Sequence, residues 1–88
     1  MNEFELPATE DAIAYLQGIA GEMVGLFGID RDEAVGRIRK FWRGQAFLTR
    51  YELMALFHRE EDGWARHIYY GGQPWWLKGP PPEPAPYP

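Results

Sequence analysis

The sequence predicts an all-α fold, a small bundle of three main helices plus a short fourth, with an extended Pro-rich C-terminal strap. Three observations carry that expectation. Apolar residues recur at helical spacing. Helix-capping residues stand ahead of each periodic run, and glycines follow their ends. The last ten residues, GPPPEPAPYP, hold six prolines and can form neither helix nor sheet. Residues 1–78 therefore read as one helical domain and residues 79–88 as its tail.

The first helix follows Thr9, an N-cap, with Glu10 and Asp11 in the favourable first turn. Ile13, Leu16, Ala20, Met23, Val24 and Phe27 give it an apolar stripe, and Gly28 stops it. A second face carries Ala14, Gly18, Gly21 and Gly25. An interior glycine costs about 0.8–1 kcal/mol relative to alanine. The pattern therefore implies a backbone packed closely against this face, either an intramolecular helix crossing or, as the second reading, a homodimer seam.

Asp30 caps the second helix, RDEAVGRIRKFWRG, and Gly44 is its natural stop. Val35, Ile38 and Trp42 form its inward stripe, flanked by Ala34 and Phe41, while Arg39, Lys40 and Arg43 lie together on the other side. Thr49 and Glu52 form a capping box that opens RYELMALFHREE, whose inward residues are Leu53, Leu56 and Phe57. Asp62 caps a short fourth helix over residues 63–70, closed by Gly71. A β-hairpin is the rival there, because EDG is turn chemistry and HIYY is β-prone. The helix is preferred because no partner strand is visible.

A chain of 88 residues buries only about 60% of the surface its unfolded form exposes. An aromatic content of 16%, or an oligomer interface, compensates. There is no cysteine, which removes disulfides and thiolate sites. The segment AIAYLQGIAGEMVGLFGI is near membrane length, but Gln17 and Glu22 lie near its middle, where a carboxylate is costly. No basic leader precedes it, so the expectation is a cytoplasmic protein without membrane association.

Catalysis has little to draw on. The chain has no serine, and its two threonines, Thr9 and Thr49, read as caps. His58 or His67 with Glu60, Glu61 or Asp62 could supply acid–base chemistry, but HREED at a helix end reads as a solvated face. His58, Glu61 and His67 match no strong metal signature. The expectation is no enzyme, no cofactor and no metal.

Residues 31–50 hold Arg31, Arg37, Arg39, Lys40, Arg43 and Arg50 against Asp32 and Glu33, a local charge of +4 in a chain of net −4. Duplex binding needs a broad basic face, and the sequence pI near 5.0 argues against one. Nucleic acid is therefore the weaker partner; the cations either pair within the molecule or dock an acidic protein.

The stretch WARHIYYGGQPWW, residues 64–76, carries five aromatic rings besides His67. They read mainly as core, with the prolines covering Trp75 and Trp76; the rival is an exposed stacking platform. Lys78, Pro81 and Pro84 also fit the cation-x-x-Pro-x-x-Pro spacing of polyproline ligands, a weak signal in any Pro-rich run. WARHIYYG followed by WW and a terminal PYP resembles the C-terminal pattern of small uncharacterised bacterial or phage proteins, over residues 64–88. The resemblance implies a helix at residues 63–70 and carries no binding assignment.

The expected function is a non-catalytic protein–protein interaction domain of the accessory, adaptor or neutralising, immunity-type kind. Its partner-binding residues would be Arg39, Lys40, Arg43, Trp75 and Trp76. A nucleic-acid-associated regulator using the basic 31–50 face is the alternative, and a phage structural or assembly component the third reading.

Overall fold

A computed structural model describes residues Asn2–Pro88. Four helices follow one another: α1 (Glu10–Phe27), α2 (Arg31–Phe41), α3 (Arg50–Phe57) and α4 (Glu61–Tyr69). No strand forms among the described residues, and a single isolated parallel bridge joins Ala8 to Phe47.

The helix starts follow from local chemistry. Thr9 Oγ1 accepts from the Ala12 N–H at 3.2 Å, and Asp30 Oδ1 accepts from the Glu33 N–H at 2.7 Å. The Thr49–Glu52 capping box closes in both directions. Each such cap satisfies backbone donors that the first turn would otherwise leave unpaired. At the end of α1, Gly28 adopts φ 67° and its N–H reaches Val24 O at 3.0 Å.

Three expectations about boundaries are corrected. α2 ends at Phe41, with Trp42 as its C-cap, and Gly44 (φ 83°) turns the chain two residues later. α3 stops at Phe57 and does not run through the acidic HREE segment. α4 is helical, as preferred over a hairpin, but Glu60 stands at its N-cap position without a side-chain bond. Asp62 lies inside the first turn and pairs with Arg66 one turn on, at 3.0 Å.

α1 packs against α4 and α2, and α2 also meets α4, while α3 packs much less closely. The core unites Leu16, Ile19 and Met23 of α1, Ile38 of α2, Leu56 of α3 and Ile68 of α4. Phe4 and Leu6 complete it from the N-terminal segment, and Phe47 enters from the α2–α3 loop. This loop is tied to the N-terminal segment by Phe47 N–H to Pro7 O (2.8 Å) and Thr9 N–H to Phe47 O (3.1 Å).

The buried face of α1 is Ala12, Leu16, Ile19, Ala20 and Met23. The small-residue face lies elsewhere, so the expected close helix crossing is corrected. Ala14, Gly21 and Gly25 are exposed, and a Cβ built at either glycine would meet nothing within 4 Å. Only Gly18 is approached, by the Glu61 carboxylate.

Candidate functional site

The basic residues of α2 are largely engaged within the molecule. Arg31 pairs with Glu3 at 2.9 Å and Arg39 with Glu5 at 2.7 Å, so two cations of α2 hold the acidic N-terminal segment. Lys40 Nζ donates to Pro86 O at 3.0 Å. Arg37 is buried, 9% exposed, and pairs with Glu33 at 2.8 Å. Arg43 and Arg50 make no ion pair among the described residues. Arg43 borders a polar cavity of about 300 Å³ with Glu5, Leu6, Arg39 and Gly44. The expected trio Arg39, Lys40 and Arg43 is thus divided among three tasks.

The histidines are dispersed too. No three histidine or acidic side chains gather into a metal-binding group among the described residues. His58 Nδ1 lies on the Ala55 carbonyl, and the Glu61 carboxylate lies over Gly18. His67 sits beside the Phe41 and Trp64 rings, at 5.7 and 5.8 Å between centroids. Burial pushes its imidazole below the usual pKa, and the nearby Arg59 charge adds to the effect.

The rings of residues 64–76 separate into two groups. Trp64 packs on Trp42 at 5.0 Å and donates its indole N–H to Leu56 O at 2.7 Å, which ties α4 to α3. Tyr69 stacks on Phe27 of α1, and Tyr70 meets the same ring edge-on. These three rings serve the fold. Trp75 is only half-buried, Trp76 is 60% exposed and Leu77 62% exposed.

Trp76 lacks the expected cover. The tail's bonds run instead to α2 and to the end of α4: Ala85 N–H to Tyr69 O (2.8 Å), Arg37 Nη1 to Ala85 O (2.9 Å) and Lys40 to Pro86 O. Gln73 Nε2 donates to Glu83 O at 3.2 Å, so the chain is held as it leaves the tryptophans. The reason is one of donors. Successive prolines present carbonyls without N–H groups, and Arg37 and Lys40 offer charged donors where the indoles offer only one N–H each.

Trp75 and Trp76 instead wall an open cavity of about 310 Å³ together with Arg59 and Gly63. Gly63 lets the Arg59 stem lie on α4, since a Cβ there would stand 3.0 Å from Arg59 Cγ. The Arg59 guanidinium lies 4.8 Å from the Trp64 ring. Two of these residues each carry a buried donor without an acceptor, Arg59 Nη1 and Trp75 Nε1. Arg59 was not singled out by sequence because its role depends on a loop fold that brings it to residues 75–76. The outward side of α3 also leaves apolar side chains free, with Tyr51 87% and Met54 59% exposed.

Among the described residues no helix is long and apolar enough to cross a membrane. The chain matches no known family, no characterised protein and no solved structure.

Proposed function

We propose that the chain is a non-catalytic protein-binding domain of the accessory, adaptor or neutralising kind, and that its contact surface centres on Trp75 and Trp76. One observation carries this reading: an exposed tryptophan, Trp76, borders a cavity lined also by Trp75 and Arg59, each of which carries a buried donor without an acceptor, Nε1 and Nη1. A buried donor left unpaired costs about 1–3 kcal/mol. A partner that supplies carbonyl or carboxylate oxygens relieves that cost while covering the Trp76 ring. Tryptophan and arginine are the residues that most often dominate protein interfaces. Both side chains are partly exposed, so a rotation on contact turns their N–H groups to the incoming acceptor.

In this reading Arg39 and Lys40 act as intramolecular ties, and Arg43 is left as a peripheral charge. Exposed ion pairs of this sort contribute little to stability. The Pro-rich end is a strap over α2 and α4, a role supported by its bonds to Tyr69, Arg37 and Lys40.

The test is affinity capture with three baits: the native chain, Trp76→Ala, and the double reversal Arg39→Glu with Arg43→Glu. The reading expects a stoichiometric protein partner that Trp76→Ala loses and the charge reversal keeps. A partner lost only by the charge reversal would move the site to α2. Salt-sensitive retention of random duplex DNA in place of a protein would favour the nucleic-acid alternative.

A further inference from the structure

The C-terminal segment lies across α2 and the end of α4, held there by hydrogen bonds to both. Beneath it lie Arg37, Lys40 and Phe41 of α2, Ile68 of α4 and Gly71 just beyond that helix, and a cavity of about 240 Å³ stays open between these residues and Ala85, Pro86 and Tyr87. One helical position stands against the segment: a Cβ at Gly36 would lie 1.9 Å from the Tyr87 hydroxyl oxygen and 2.8 Å from its Cζ. Gly71, a glycine by its φ of 63°, lies beside Ala85. Gly36 occupies the middle of a helix, where glycine is otherwise unfavourable, and the absent Cβ leaves room for the Tyr87 hydroxyl.

The polar contacts read the register of the segment. Ala85, flanked by Pro84 and Pro86, gives its backbone N–H to Tyr69 O at 2.8 Å. The next two carbonyls, of Ala85 and Pro86, accept from Arg37 and Lys40 at 2.9 and 3.0 Å. The Arg37 guanidinium lies 4.8 Å from the Tyr69 ring and 5.3 Å from the Tyr87 ring, so it joins a groove residue to the ligand residue. A proline-flanked segment has little conformational freedom to lose on docking, which is how polyproline grooves gain affinity.

We propose that the α2–α4 groove is a receptor for an Ala-Pro-Tyr segment, filled at rest by the chain's own end and able to take the same segment of a second copy. Residues 72–82 contain no helix or strand, and Gly72 adopts a positive φ, so opening the connector breaks no regular element and releases the bond from Gln73 to Glu83 O. An exchanged tail remakes every contact of the resident one, the general condition for swapping between protomers. At low concentration the resident tail wins, because a short tether holds it at an effective concentration in the millimolar range.

Complementation between two full-length variants tests this. Gly36→Leu fills the groove and leaves the tail intact. Tyr87→Ala weakens the tail and leaves the groove intact. Circular dichroism confirms that each is helical, and light scattering then reads the mass. Each variant alone should run as a monomer, and an equimolar mixture should double in mass. A mixture that stays monomeric with both variants folded overturns the proposal. Should Gly36→Leu fail to fold, a labelled peptide of residues 79–88 is titrated into Tyr87→Ala and into the native chain. The proposal expects at least about tenfold tighter binding to Tyr87→Ala, and equal or absent binding overturns it.

Discussion

Removing residues 80–88 tests the tail's contribution to the fold. The deletion abolishes the partly buried bonds from Ala85 N–H to Tyr69 O and from Arg37 to Ala85 O, together with the exposed bonds to Pro86 and Glu83. Each partly buried bond contributes about 1 kcal/mol net, and the exposed ones less. The Arg37–Tyr87 contact adds about 0.5–1 kcal/mol. The expected loss is about 3 kcal/mol. For a domain of this size each kcal/mol moves the melting midpoint by about 4–8 °C, so the midpoint should fall by about 12–24 °C. Thermal denaturation followed by circular dichroism measures the shift, and tryptophan emission is recorded on the folded protein. Because Trp76 is exposed with the tail in place and Trp64 is packed among helices, the emission maximum should change little. An unchanged midpoint would refute the claim that these contacts stabilise the fold. A strong red shift in the folded variant would mean that the prolines shield the indoles.

Gly21→Ala should raise stability by about 0.8–1 kcal/mol, since the position is helical and open; a lower urea midpoint would reveal a neighbour on that face. Phe4→Ala should cost about 3–5 kcal/mol, as for other fully buried aromatic rings, and a loss below 1 kcal/mol on the ~1 kcal/mol scale of ordinary substitutions would place the N-terminal segment outside the core. His67 is held below its usual pKa by burial and then by Arg59. The unfolded chain therefore binds the proton more readily, and stability should fall as pH drops through the unfolded value near 6.5 toward the folded one. His67→Gln should remove that slope, and a slope that persists assigns it elsewhere. Glu52, whose pKa is lowered by its bonds to the Thr49 and Leu48 N–H groups, acts in a separate window, below 4.5.

The helix starts could be read from the chain because capping is local: Thr9, Asp30 and Thr49 bond backbone groups within three residues. The same logic failed at Asp62, where Arg66 competes for the carboxylate. Phe4, Leu6 and Phe47 escaped notice because nothing periodic surrounds them; they are buried by a loop-to-terminus pairing that no short window contains. The glycine face misled because small residues reveal that a close approach is permitted, not that it occurs. The one close approach on that face, at Gly18, comes from a carboxylate, while Gly36, on another helix, meets a tyrosine. Among the cations of α2, spacing could not distinguish the buried Arg37 from Arg39 and Lys40. The exposure of Trp76 could not be read from the chain, since the donors that hold the proline-rich end lie on α2, far from it in sequence.

The site assignment is tested most directly by hydrogen exchange on the native chain, alone and bound to its captured partner. Binding at the Trp75–Trp76 cavity should slow exchange at residues 59–63 and 73–77 and leave residues 39–43 and 50–57 unchanged. Protection confined to residues 39–43 or 50–57, with the tryptophan segment exchanging as in the free protein, would contradict it.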